Sequence, residues 1–376
     1  MTSHPVIIDA ARTAIGGVRG RFAGTTVADL STPVIGRLAS RVPETTRIRH
    51  VIWGNLRGPG GNLARYCSLA AGLPAAVPGT TIDRQCGAGL AAVEMAGYEL
   101  MSQPGFVLAG GGQSASTQPI TAWPAHGEDP PREFDRAPFC PAELGDPDMG
   151  EAADLLAECR GVCRDRQDRY AARSHARAVA SQKSGTFDRE LVEVAGVDRD
   201  ERPRERFDAA RLARFRPVFR PEGTVTVANS CGVNDGASGV LLCDGATHRR
   251  LGVPGLRILG SATVGCDPRR PGWGVVPAVQ AALAGVGMGV EAMDVIEINE
   301  AFAGQVLACL DGLGIEEERN CPQGGALALG HAWASSGTVL LTRLFSQLVW
   351  QRRGELGLAA IAIAGGMGSA MVVRRC

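Results

Sequence analysis

Two widely separated stretches, VLAGGGQSAS (107–116) and AIAGGMGSAM (362–371), repeat one pattern of apolar residues, adjacent glycines and small polar residues. An internal repeat constrains a fold more tightly than composition does, because each copy is a unit that packs against the other. Around the first copy, PVIIDA (5–10), HVIWG (50–54) and FVLAGGG (106–112) read as buried strands bounded by Gly and Pro. Between them VADLSTPVIGRLASRV (27–42) and GLAAVEMAGYELMSQ (89–103) carry helical spacing. The same alternation returns in LRILGSATVG (256–265), VVPAVQAALAGVG (275–287), DVIEINEAF (294–302), SGTVLLTRLFSQLVWQRR (336–353) and GLAAIAIAGGMGSAM (357–371). The expectation is an α/β chain of two similar βαβαβ-type halves.

Residues 117–222 interrupt that symmetry. The segment opens with the Pro-rich, acidic TQPITAWPAHGEDPPREFDRAPFCPAELGDPD, then turns amphipathic and helical through MGEAADLLAECRGV and DRQDRYAARSHARAVASQKSG. At 223–242, GTVTVANSCGVNDGASGVLL returns to strands and turns. The division expected is an N-terminal half over 1–116, an inserted loop domain over 117–222, and a C-terminal half over 223–376, with 223–245 returning to the N-terminal half.

Thirty-nine basic and 39 acidic side chains cancel, so nothing in the charge points to nucleic acid or a membrane surface. No signal-peptide pattern opens the chain, and a cytoplasmic location is the expectation. Eleven cysteines, an odd number at irregular spacing, read as reduced thiols. Cys159 and Cys163 would share a face if one helix carried both, but no nearby His or second Cys pair completes a metal site, so none is expected.

One cysteine stands apart. VPGTTID (77–83) reads as a strand and CGAGLAAV as a helix start, so Cys86 falls on the elbow between them. A helix N-terminus favours thiolate over thiol, and Gly87 and Gly89 leave room for an acyl group whose oxygen meets backbone N–H groups. Three further stretches carry candidate partners: QGGALALGHAWASSG (323–337) with His331 after a glycine turn, NEAFAG (299–304) with Asn299 at a strand end, and the tight loop AGGMGSA (364–370).

Taken together these residues resemble the thiolases, CoA-dependent enzymes that make or cleave 3-oxoacyl thioesters. The likeness runs from IIDAARTAIGGVRGRFAG (7–24) through CGAGL, GTVTVANSCGVNDGAS, ATVGCDP (262–268), NEAFAG and GGALALGH to AGGMG. It implies the thiolase fold, two halves layered α/β/α/β/α with an inserted loop domain. It implies a coenzyme A thioester as substrate, no bound cofactor, and a homodimer or homotetramer. By position it makes Cys86 the acyl-accepting nucleophile, His331 its activator, and Asn299 a polar anchor in one oxyanion site. Backbone N–H groups of Cys86 and the Gly366 region form the other. Arg204 matches an arginine at the nucleotide end of CoA, Cys231 a serine near the pantetheine, and Met149 a tunnel residue. Arginines crowd residues 199–216, so the Arg204 match can slip; Met149 also fits helix packing, and Cys231 a small buried side chain.

The pattern breaks at the last strand. Where the family carries a second cysteine as acid and base, two residues before the glycine turn, this chain has Ala362. After His331 come Ala332, Trp333 and Ala334 in place of Pro, an aliphatic and Gly. Gln113 stands where a glutamate is common, and Trp273 replaces a smaller residue. Non-decarboxylative Claisen chemistry must move an α-proton, which alanine cannot do. Acylation of Cys86 and a decarboxylative condensation need no such group. The expected function is therefore acyl loading from acyl-CoA or an acyl carrier protein onto Cys86, followed by transfer in a Claisen-type C–C condensation, for which a decarboxylative route stays open. The alternatives are an ordinary acetyl-CoA acetyltransferase or 3-ketoacyl-CoA thiolase with a substitute acid and base, and a non-catalytic acyl-CoA-binding subunit.

Overall fold

The apolar run near the N-terminus forms strand β1 (Val6–Thr13), followed by helix α1 (Val27–Ala39), whose start is fixed by a reciprocal Thr26–Asp29 capping box. Then come β2 (Ile48–Asn55), α2 (Leu63–Ala70), β3 (Gly79–Ile82), α3 (Ala88–Ser102) and β4 (Phe106–Gln113). This computed structural model describes residues 4–44, 47–127 and 129–376. After β4 the chain makes a short hairpin pairing Ala122–Trp123 with Arg132–Glu133 and two helices, α4 (Met149–Cys159) and α5 (Arg164–Lys183). Strand β5 (Asn234–Cys243) then inserts between β1 and β4, antiparallel to both.

The second half repeats the path with β6 (Leu256–Gly265), α6 (Val275–Val286), β7 (Val295–Ile298), α7 (Ala303–Leu313), α8 (Ser336–Phe345), β8 (Leu356–Ile363) and β9 (Met367–Arg375). Strand order is β3-β2-β4-β5-β1 in one half and β7-β8-β9-β6 in the other, with matching parallel and antiparallel pairs. The counterpart of β3 shrinks to one parallel bridge between Ile296 and Asn320. A short antiparallel contact of β1 with β6, Val6 to Arg257 and Ile7 to Leu256, joins the sheets.

Every residue of β4, β5 and α8 is buried. Such strands lie between helical layers, which is why they read as near-continuous apolar and glycine runs. Helix α8 touches β1 and β5 of one sheet, β7 and β8 of the other, and α3 beside it. α1 and α2 cover the first sheet from outside; α6 covers the second, with α7 packed beside it. The layering is α/β/α/β/α, with α3 and α8 in the middle.

The two glycine-rich copies turn out not to be structural equivalents. Gly110, Gly111 and Gly112 continue β4, where a Cβ on Gly111 would stand 2.1 Å from the Ala334 carbonyl oxygen. Gly365 and Gly366 instead adopt φ of +81° and +82° and turn the chain from β8 into β9. One set answers close packing, the other left-handed backbone. Cys159 and Cys163 do not share a helix: the first ends α4 and the second precedes α5.

A buried ionic network ties the insertion to both halves. Arg12 on β1 meets Glu190 at 2.7 Å and Asp200 at 2.7 Å, while Arg343 on α8 also pairs with Glu190. Buried charges persist only when paired and hydrogen-bonded. Here the pairing fixes the 190–200 segment against the middle layer.

Candidate active site

Strand β3 delivers the chain to the elbow. The Asp83 carboxylate accepts the Gln85 backbone N–H at 2.7 Å, and Gln85 takes a left-handed φ of +48°, rare for a residue with a side chain. The Gly87 N–H then donates to the Arg84 carbonyl at 3.0 Å, and α3 begins at Ala88 without a side-chain cap. Cys86 thus stands one residue ahead of the cap, partly exposed.

Both glycines beside it mark contacts with the other half. A Cβ on Gly87 would lie 2.3 Å from Ile363 Cδ1, at the end of β8. A Cβ on Gly89 would lie 2.9 Å from the Ala334 carbonyl oxygen and from the Thr338 backbone nitrogen, in the turn and helix after His331. The Cys86 elbow is therefore wedged between the glycine turn and the His331 segment. Its environment reverses the sequence expectation of a favoured thiolate. Burial, with Cys231 as the second cause, pushes the Cys86 thiol up to about 12. Desolvation outweighs the helix terminus, whose effect on a nearby charge is about 0.3–1 kcal/mol.

His331 is buried, and Gly330 before it has a φ of +114°. Its backbone N–H donates to Asn234 Oδ1 at 2.9 Å, and its Nδ1 lies 2.6 Å from the Ser336 hydroxyl. That contact anchors one ring nitrogen and leaves Nε2 for chemistry. Burial lowers the His331 pKa to about 4, so the ring is neutral at neutral pH.

Asn299 follows β7, buried, with its N–H donating to the Ala360 carbonyl of β8 at 2.9 Å. Next to it, Glu300 is buried and accepts from Tyr170, Ser174 and the Leu327 N–H, which locks the NEAF turn against α5. The segment carrying Cys231 runs between these groups. The Cys231 N–H donates to the Ala301 carbonyl at 2.9 Å, Ser230 bridges Phe302, and Val233 bridges His331. Cys86, Cys231, Asn299 and His331 thus belong to one contiguous set of segments. Ala362, partly exposed, pairs with Gly368 one residue from the Ile363 contact, and the Gly366 carbonyl accepts the Cys266 N–H at 2.6 Å.

The proposed CoA contacts spread wider. Met149 begins α4, where Gly150 abuts the Phe219 ring, and Phe219 meets Phe302 edge-on at 6.2 Å. Arg204 is exposed, and its backbone N–H donates to His175 Nδ1 at 3.3 Å. Among the described residues, no group of three or more His, Cys, Asp or Glu side chains could hold a metal ion. No helix is long and apolar enough to cross a membrane among those residues.

Two side chains here escaped the sequence reading. Ser336 carried a signal in its placement five residues after His331, in a turn that has only small side chains apart from Trp333. Arg202 was lost among its arginine neighbours.

A cysteine on a strand-to-helix elbow, packed against the turn that follows a buried neutral histidine of the second half, is an arrangement suited to acyl transfer through a thiol. The comparisons make the class specific. The chain matches the model "Thiolase, N-terminal domain" over residues 5–246 and "Thiolase, C-terminal domain" over 254–375. It is 39% identical to "Putative acetyl-CoA C-acetyltransferase YhfS" of Bacillus subtilis (strain 168), over 98% of each chain. Identity is 38% to "Putative acetyl-CoA C-acetyltransferase VraB" of Staphylococcus aureus (strain MRSA252), over 99% of this chain and 100% of that one. The crystal structure of the Bacillus anthracis acetyl-CoA acetyltransferase superposes with a TM-score of 0.92 at 31% identity, covering 100% of this chain and 99% of the other. The chain belongs to the thiolase family and is an acyltransferase.

Proposed function

We propose that this acyltransferase loads an acyl group from acyl-CoA onto Cys86 and passes it to a carbon nucleophile made by decarboxylation. In the loading step His331 Nε2 takes the Cys86 proton as sulfur attacks the thioester carbonyl, and the proton leaves with the CoA thiol. Backbone N–H groups of Cys86 and the Gly366 turn hold the first oxyanion, and Asn299 with His331 the second. Met149, Cys231 and Arg204 line the path of the CoA arm. In the second step a carboxylated thioester loses CO2, and the electrons of that C–C bond become the enolate that attacks the acyl carbon. Cys86 then departs as thiolate and takes up a proton from solvent, relayed through His331, which returns both groups to their neutral starting forms.

Ala362 carries this reading. A methyl group at that position can neither remove an α-proton nor return one, so the direction that needs neither is favoured. The names of the related proteins favour a second reading, acetyl-CoA C-acetyltransferase chemistry with another group moving the proton. Restoring a cysteine separates the two. Under the first reading Ala362→Cys raises thiolysis of a 3-oxoacyl-CoA by about 10²–10⁴-fold, the usual worth of a positioned acid or base. Equal rates in variant and wild type would favour the second.

A further inference from the structure

Arg202 is the side chain at the site that the loading chemistry does not use. Its guanidinium lies directly over the chain beside Cys231: a Cβ on Gly232 would stand 2.2 Å from Arg202 Nη1 and 2.5 Å from its Cζ. The segment beneath it bridges Phe302 on one side and His331 on the other. The arginine thus lies over the segment whose Val233 bridges the candidate base, His331. Its Nε is buried with no hydrogen-bond partner, and among the described residues no carboxylate forms an ion pair with Arg202. The adjacent Glu201 carboxylate is engaged elsewhere, accepting the Gly17 N–H at 2.9 Å and the Arg21 N–H at 3.3 Å.

A guanidinium presents five donors in a planar fork suited to a carboxylate, and leaving it half-buried and unmatched is costly. Burial and the neighbouring Arg204 both hold its pKa below the ordinary arginine value. His175, pushed down to about 3 by burial and these two arginines, adds no charge of its own there. Arg204 adds positive charge beside it, and Glu201, the nearby acid, makes no ion pair with Arg202 among the described residues. A CoA thioester poised at Cys86 puts its phosphates a pantetheine arm away, so the anion this fork meets is carried closer to the sulfur.

We propose that Arg202 binds a carboxylate on the acyl portion of the substrate, making the enzyme selective for acyl thioesters that carry a free carboxylate. The inference rests on the reading that acyl thioesters occupy this site, and it supplies the recognition element that a decarboxylating partner substrate requires.

Binding is measured in the Cys86→Ala background, where no transfer occurs, with malonyl-CoA, succinyl-CoA and uncharged butyryl-CoA, and with the corresponding pantetheine thioesters that lack phosphates. The expected result is a preference for the carboxylated thioesters that Arg202→Met reduces at least about tenfold, that Arg202→Lys partly restores, and that persists without the phosphates. If Arg202→Met weakens all CoA thioesters alike but not the pantetheine thioesters, its partner is a phosphate and the inference is wrong. A uniform loss across every ligand would mean a structural role only, again overturning it. Binding without any carboxylate preference would remove this inference and leave the function standing; no thioester binding at all would remove both.

Discussion

At the residue scale the two candidate groups, Cys86 and His331, are both neutral rather than charged. The Cys86 thiol is pushed up to about 12 and His331 pulled down to about 4, so both are uncharged throughout the neutral range. Under the proposed mechanism the thiolate forms during attack, as His331 accepts the proton, and not beforehand. His331→Ala is expected to slow acylation of Cys86 by about 10²–10⁴-fold. Ser336→Ala, which only frees Nδ1, slows it less. Single-turnover acylation of the wild type should be nearly independent of pH from 6 to 9, followed by rapid-quench mass analysis. A steep rise through pH 8–9 would indicate an ordinary exposed thiol. Cys86 and His331 stand out as candidates in the sequence because glycines isolate them in apolar runs, and the structure packs the Cys86 elbow against the turn after His331. The direction of the cysteine's pKa was not legible in the sequence, since it depends on which segments close over the elbow.

At the scale of elements, the packing of β4 against the His331 turn does much of the positioning. Gly111 lies on a face where Ala334 leaves no room for a methyl group. Gly111→Ala is expected to cost about 1–3 kcal/mol in urea unfolding and to displace the turn, lowering acylation as well. A variant with wild-type stability and rate would show that this contact is slack. The same glycines explain where pattern reading succeeded and failed. Apolar alternation located the strands and helices closely, with LRILGSATVG coinciding with β6. Similarity of two glycine runs did not reveal that one is a straight strand and the other a turn, because glycine serves both close approach and positive φ. Nor could it show β3 reduced to a single bridge in the second half, which is a matter of pairing between distant segments.

For the molecule as a whole, buried titratable groups bracket the stable range. His331 and His175, both held below their ordinary 6.5, bind protons more readily when unfolded. Stability is therefore lost as pH falls from about 6.5 toward 4. Desolvated thiols, among them the buried Cys67, Cys243 and Cys309 and the part-buried Cys86 and Cys231, sit above their ordinary 9.0. Their contribution is intact below about pH 9 and is lost as pH rises further. Thermal melting should show a plateau between these limits, and His331→Gln should soften the acid limb. A limb unchanged by His331→Gln would mean that the histidine is not buried neutral. The duplicated architecture was visible from sequence, but the Arg12, Glu190, Asp200 and Arg343 network that binds insertion to core was not, because its members lie far apart along the chain.

The most direct test of the account is the intact mass of wild type and of Cys86→Ala after brief incubation with a panel of acyl-CoAs, including carboxylated ones. The account predicts an added acyl mass on the wild type alone, lost on treatment with hydroxylamine. No adduct with any acyl-CoA, or an equal adduct on Cys86→Ala, would contradict it.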